Sequence, residues 1–310
     1  MSLHPDARAY LDLAAKANLP DISEQGVFMA RMNSHVEADI AGPLDLSVAI
    51  SYDVFTSESA DIPVAIYTPS GEGFRAGMVY FHGGGWVTNY VAKYHSQLSA
   101  LAAMTNSVIV SVNYQKAPEH KFPIPFDDCY AGLEWTVANS QRLGIDPSRV
   151  GVGGDSAGGN LASGVAIAAR DRGKHALAYQ LLIYPCNGPE FVDSPDVPSA
   201  NGYGLTQRGM KWLWECYLNG PEDRTNPYAV PHAADNYEGL APGILLTAEY
   251  DVLRADGLAY KTKLESAGSL HAFIDCPGMI HGFFNRGKYI PYGIEIRSWI
   301  ADQINSLVNK

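Results

Sequence analysis

Arg149-Val150-Gly151-Val152-Gly153-Gly154-Asp155-Ser156-Ala157-Gly158-Gly159-Asn160 is the stretch on which the fold of this 310-residue chain turns. A short apolar run meets a glycine-flanked serine, and an alanine-rich helical pattern follows. Within it, Gly154-Asp155-Ser156-Ala157-Gly158 fits G-x-S-x-G, a strand-to-helix elbow that lifts a serine hydroxyl above a sheet. The turn is so tight that the neighbours of the serine must be nearly free of side chain. The backbone N–H after the serine then falls at a helix N-terminus. Taken alone the pentapeptide leaves an alternative, because glycine-rich strand-to-helix turns also cradle phosphates. The dinucleotide fingerprint fails here: after Gly151 and Gly153, the third glycine's place is held by Ser156. The partners of Ser156 therefore decide its chemistry.

Upstream, Met78-Val79-Tyr80-Phe81 is a fully apolar run, as expected of a central strand, and it feeds into His82-Gly83-Gly84-Gly85-Trp86. Three glycines can be only a flexible turn. Directly after a central strand, they also let backbone N–H groups face outward where side chains would obstruct, the geometry that an oxyanion hole requires. Downstream, the run 243–248 reads as a strand leading into Glu249-Tyr250-Asp251, and 271–276 as the last strand, followed by the loop Pro277-Gly278-Met279-Ile280-His281-Gly282-Phe283. In parallel α/β sheets the active groups gather beyond the carboxyl ends of the strands. Asp251 and His281 stand at such ends, and the order Ser…Asp…His fits the arrangement. Their rivals fit less well. Glu249 is still in strand alternation, Asp256 falls on the next helix, His271 opens a strand, and His35 and His232 lie in peripheral stretches.

The remaining chain alternates strand and helix patterns. The segments 44–55 and 62–69 read as an antiparallel edge pair, with 107–114 and 179–184 as inner strands. Helical periods cover 6–17, 94–104, 126–143, 157–172, 207–218, 254–267 and 292–308. The stretch 21–43 reads as loose and peripheral, and 187–231 as an insertion over the top edge of the sheet. In the proline-rich loop 114–123, Glu119 and His120 read as pins for the loop backbone rather than as catalysts. The class expected is α/β: a mostly parallel eight-stranded sheet flanked by helices, one domain over 1–310, with 1–43 and 187–231 contributing a helical cap or lid.

Basic residues number 22 and acidic residues 33, for a net charge of −11. That balance disfavours nucleic acid and an anionic membrane surface as partners. No run approaches the roughly 20 apolar residues of a membrane span. The first 20 residues carry Asp6, Arg8, Asp12 and Lys16 instead of a secretory apolar core, so a cytoplasmic location is expected. Cys129, Cys186, Cys216 and Cys276 are far apart and read as buried thiols.

The expected chemistry has named parts. Ser156 attacks a carbonyl, His281 takes its proton, and Asp251 orients the imidazole. Backbone N–H groups of Gly83, Gly84 and Ala157 hold the oxyanion, and no metal or organic cofactor is called for. Trp86, Tyr203, Trp212, Ile280 and Phe283 are candidates for the pocket wall. The same triad could cleave an amide or a lactone, and the sequence does not choose among these leaving groups. A small-molecule receptor built on a dead hydrolase would lack one of the three residues, and all three are present.

These residues resemble the hormone-sensitive-lipase-like carboxylesterases of the α/β-hydrolase fold. The resemblance rests on His82-Gly83-Gly84-Gly85-Trp86, on Tyr114 with Ala117-Pro118-Glu119-His120, on Gly154-Asp155-Ser156-Ala157-Gly158-Gly159-Asn160, on Asp251 with Leu253-Arg254, and on His281-Gly282-Phe283. It spans about residues 76–285. It implies a serine carboxylesterase acting on small esters of short acyl chains, with lids from the N-terminus and from the insertion after Pro185, and it leaves a homodimer open. Two positions depart from the family pattern: Val252 replaces the usual proline after the acid, and Ala255 replaces a second acid. Both put the positioning of Asp251 in question.

Overall fold

The computed structural model describes residues 2–36, 40–193 and 203–309. Eight strands form one sheet: β1 (Val48–Thr56), β2 (Asp61–Pro69), β3 (Arg75–Phe81), β4 (Val108–Val112), β5 (Ile145–Asp155), β6 (Gln180–Ile183), β7 (Gly243–Tyr250) and β8 (Leu270–Ile280). Their order is β1-β2-β4-β3-β5-β6-β7-β8. β1 and β2 pair antiparallel, as do β2 and β4, and every pairing from β4 through β8 is parallel. Side chains alternate across a strand, so each inner strand feeds two cores. Val79 and Phe81 join Val108, Val110 and Val112 on one face. Met78 and Tyr80 join Ile109, Leu181 and Ile183 on the other. This is why the inner runs are apolar at consecutive positions.

The helices are α1 (Pro5–Ala15), α2 (Ile22–Val36), α3 (His95–Thr105), α4 (Ile124–Ala138), α5 (Ser140–Leu143), α6 (Ala157–Arg172), α7 (Gln207–Tyr217), α8 (Arg254–Ser266) and α9 (Tyr292–Val308). α4, α6 and α8 cover the first face, through residues such as Phe126, Leu161 and Leu264. α3 and α9 cover the second, through Leu98, Ile300 and Ile304. The central helix α6 is made of small residues, and Ala157–Ala169 is buried throughout, so its backbone packs close to the sheet.

Three expectations need correction. The segment 21–43 is not loose, because residues 22–36 are helical. Gly26 (φ 70°, ψ 164°) kinks the helix and interrupts its apolar period, and Phe28, Met29 and Met32 are exposed, which hides the amphipathic face in the sequence. The helix expected over 126–143 starts two residues earlier and breaks at Asn139 into α4 and the single turn α5. β8 does not stop at Cys276: pairing shifts register between Ala248 and Tyr250 and resumes with Tyr250 opposite Ile280. Pro277 sits in that irregularity, where a missing N–H is tolerated.

All four cysteines are free and buried. Among the described residues, no helix is long and apolar enough to cross a membrane. The two segments expected to form the cap meet each other. The Asp21 carboxylate ahead of α2 accepts a hydrogen bond from Thr206 Oγ1, and Thr206 caps α7 by accepting from Gly209 N–H. Residues 1, 37–39 and 194–202 of the expected cap lie outside the described residues.

Candidate active site

β5 hands directly to α6 at Ser156, whose φ of 55° and ψ of −122° are rarely adopted by an L-residue. Such a conformation costs on the order of 1–3 kcal/mol and persists only where the surroundings impose it. Ser156 N–H donates to Ile183 O at 2.9 Å, and Ser156 O accepts from Asn160 N–H at 3.0 Å. Crowding selects the flanking glycines: a Cβ on Gly158 would overlap the Phe81 carbonyl, and one on Gly154 would overlap the backbone of Gly158. The elbow thus needs glycine for close approach of three backbones.

The carboxyl ends of β7 and β8 deliver the other two groups. His281 Nε2 lies 2.9 Å from Ser156 Oγ, and His281 Nδ1 lies 2.6 Å from Asp251 Oδ2. Asp251 is 2% exposed, and its Oδ1 accepts from Leu253 N–H at 2.9 Å. The departures at 252 and 255 leave this turn held by other means. Val252 and Leu253 are buried, and Arg254 forks onto Asp275 of β8 with contacts of 3.0 and 2.6 Å. Glu249 is committed to the histidine loop, since its Oε2 accepts from Gly278 N–H at 2.7 Å.

The other rivals serve elsewhere. Asp256 pairs with His232 at 2.9 Å, His271 contacts Ser306, and His35 stacks on Tyr90. Glu119 forks onto Arg31 of α2, and Arg31 also donates to the carbonyls of Val87 and Ala117. Reading the sequence missed Tyr184. This buried residue, at φ 37° just past β6, sets its ring 4.8 Å from that of His281 and walls the imidazole from behind. A tyrosine closing an apolar strand carries no signal of such a contact.

The glycine loop requires a correction. Gly83 was expected as an oxyanion donor, yet its N–H donates to Asp155 Oδ1 at 2.9 Å and to Tyr94 Oη at 3.0 Å. Among the described residues, the N–H groups of Gly84 and Gly85 have no acceptor, and Ala157 N–H, first in α6, has none within its helix. Gly84 (φ 114°) and Gly85 (φ 60°) hold conformations that favour glycine. His82 anchors the loop: Nδ1 meets Gly83 O at 2.8 Å, and the ring stacks on Tyr114, whose hydroxyl donates to His82 O at 2.7 Å. Burial pushes the His82 imidazole well below its usual range, so it stays neutral.

The five candidate wall residues separate. Trp86 is completely buried and closed between Tyr217 and Trp214, and so it is core rather than an open wall. Ile280 and Phe283 likewise belong to the core under the sheet, with Phe283 against Tyr184. Tyr203, paired with Tyr250 at 5.1 Å, and Trp212 keep partial exposure.

A family profile described as "alpha/beta hydrolase fold" matches residues 78–285. The chain is 35% identical over 255 residues to carboxylesterase NlhH of Mycobacterium tuberculosis, covering 79% of this chain and 77% of that one. It is 32% identical over 300 residues to the ethyl acetate hydrolase of Pseudomonas putida, covering 94% of each. A hyperthermophilic esterase from the archaeon Pyrobaculum calidifontis superposes with a TM-score of 0.89 at 34% identity, across 99% of both chains. Profile, sequence and structure agree over the segment that holds Ser156, Asp251, His281 and the glycine loop, and the chain belongs to the alpha/beta hydrolase family, in its hormone-sensitive-lipase-like carboxylesterase branch.

Proposed function

We propose that the protein is a serine carboxylesterase acting on small, short-acyl esters. The observation that carries this reading is the unbroken contact from Ser156 Oγ through His281 to Asp251, at 2.9 and 2.6 Å. A serine hydroxyl is a poor nucleophile near neutral pH, so the imidazole accepts its proton as the oxygen attacks the ester carbonyl. Asp251 takes the hydrogen bond from Nδ1–H, which leaves the Nε2 lone pair facing the hydroxyl and stabilises the imidazolium that forms. The tetrahedral oxyanion is held by the N–H groups of Gly84, Gly85 and Ala157, each such donor contributing about 10²–10³ in rate. The imidazolium then protonates the departing alcohol. Water repeats the sequence on the acyl-enzyme, releasing the acid and restoring Ser156.

Short acyl chains are favoured by what fills the space beside the loop. A Cβ on Gly85 would overlap Leu213 of α7, and Trp86, Trp214 and Tyr217 close the volume behind it. The relative named for ethyl acetate hydrolysis agrees with that restriction. Tyr203 and Trp212 supply the accessible part of the wall, and α2 with α7 forms the lid.

Hydrolysis of p-nitrophenyl esters of increasing chain length tests both parts. Acetate and butyrate should be turned over fastest, and Ser156→Ala should lose roughly 10⁴–10⁶ in kcat with its fold intact. Near-wild-type turnover by Ser156→Ala would remove the serine from its role, and a preference for dodecanoate would sink the chain-length claim.

A further inference from the structure

We propose that Asp155 is a positioning residue that locks the glycine loop and the histidine loop to the nucleophile elbow. This rests on the hydrolase reading above. Asp155 immediately precedes Ser156 at the end of β5, is 2% exposed, and takes no part in the proton relay. Four donors converge on its carboxylate. Oδ1 accepts from Tyr80 Oη and from Gly83 N–H, each at 2.9 Å. Oδ2 accepts from Asn285 Nδ2 at 2.7 Å and from Tyr94 Oη at 3.1 Å. Gly83 belongs to the loop after β3, and Asn285 lies four residues past His281. One side chain therefore joins the elbow, the oxyanion loop and the histidine loop.

The direction of each bond follows from its neighbours. Tyr94 Oη receives Gly83 N–H at 3.0 Å, Asn89 Nδ2 at 3.3 Å and Asn285 Nδ2 at 3.4 Å, so its single proton goes to Asp155. The Asn285 amide is oriented by Gln97, whose Nε2 donates to Asn285 Oδ1 at 2.8 Å, which leaves Nδ2 for the carboxylate. Four donors and no acceptor describe a site built for an ionised carboxylate. Burial raises the Asp155 carboxyl above its usual range, and the bonds from Asn285, Tyr80, Gly83 and Tyr94 act against that rise. With the Gly83 amide fixed on Asp155, the orientation of the next two peptides is set relative to Ser156, and those carry the free N–H groups.

Asp155→Asn keeps the volume but turns an amide NH₂ toward donors, which breaks part of the network. The expected result is a fall of roughly 10–100-fold in kcat on p-nitrophenyl acetate with KM changed less than about 3-fold. A trifluoromethyl ketone, which forms a tetrahedral adduct with the serine, should lose affinity by a similar factor, while the parent methyl ketone should not. Asn285→Ala cuts the tie to the histidine loop without touching the carboxylate and should lower kcat about 3–10-fold, so the proposal stays testable if Asp155→Asn fails to fold. Wild-type kcat in a folded Asp155→Asn, or in Asn285→Ala, overturns the proposal, as does equal weakening of the two ketones. Ser156→Ala runs alongside. If it is silent while Asp155→Asn is unimpaired, only the positioning role fails; turnover by Ser156→Ala removes the hydrolase reading and this proposal with it.

Discussion

Trp86 and Tyr217 lie face to face, their ring centres 4.3 Å apart and their planes within 1° of parallel. Trp86 closes the glycine loop and Tyr217 ends α7, so the stack fastens the insertion onto the glycine loop. Trp214 adds a second ring 4.5 Å from Trp86, and Phe122 N–H donates to Tyr217 O at 2.9 Å. Tyr217→Ala should therefore destabilise the fold by about 3–5 kcal/mol, as expected of a large buried aromatic. It should also raise KM for the preferred ester more than it lowers kcat, because the wall moves while the relay stays. Denaturant unfolding and steady-state kinetics on the same variant check both. Unchanged stability would show that the stack adds nothing.

Asp251 can be removed from the proposed relay without changing shape. Asp251→Asn keeps the bond from Leu253 N–H to its oxygen but no longer accepts from His281 Nδ1–H, so the ring is drawn into the wrong tautomer. A loss of about 10³–10⁴ in kcat is expected, with the melting temperature nearly unchanged. A variant within tenfold of wild type would mean that Arg254, Tyr184 and the loop hold His281 without help from the acid.

A second buried acid–imidazole pair has a structural task. Asp256 of α8 is fully buried, and its Oδ2 accepts from the N–H groups of Asn187 and Gly188 at 2.7 and 2.9 Å, while Oδ1 meets His232 Nε2 at 2.9 Å. Asn187 opens the excursion between β6 and β7, and His232 lies near its return, so one carboxylate fastens both ends. Asp256→Ala leaves two amides and an imidazole buried and unpaired, a loss of about 3–5 kcal/mol. Asp256→Asn can still accept from the amides and should lose much less. Equal losses for both, read by denaturant unfolding, would contradict the clasp.

The sheet was legible because its inner strands are short apolar runs, and because β7 and the edge strand β8 lead into Asp251 and His281. Legibility stopped where a contact joins distant segments. The peptide His82-Gly83-Gly84-Gly85 reads as a candidate oxyanion loop, but which of its amides are left without a partner depends on Asp155, 72 residues from Gly83. Trp86 reads as a candidate for the pocket wall, and only the packing of α7 shows it sealed. The departures at Val252 and Ala255 raised doubt about the turn, and the Arg254–Asp275 fork that steadies it pairs a helix with a strand 21 positions away. Gly26 hid α2 for a local reason, since the kink shifts the apolar period by part of a turn.

Lys116 gives the pH dependence its clearest handle. Its side chain is only partly covered, but the ammonium donates to Asn113 Oδ1 at 3.2 Å and to Tyr114 O at 3.1 Å, near the Tyr114 ring and, among the described residues, with no carboxylate bound to it. Burial, with Arg31 nearby, lowers its pKa from 10.5 to about 8. Below about pH 8 the lysine is charged in both states, and the fold bears the cost of enclosing the charge. Between about pH 8 and 10.5 the folded protein gives up the proton while the unfolded chain keeps it, so stability rises with pH relative to a variant without the amine. Above both values the difference levels off. Measured against Lys116→Met, which cancels the titrations common to both proteins, the wild type should gain about 1–2 kcal/mol across that window, discounted for partial exposure. A difference that stays flat from pH 7 to 10.5 in paired denaturant titrations would mean that water still reaches the ammonium and that its contacts with the Tyr114 loop are made without desolvation.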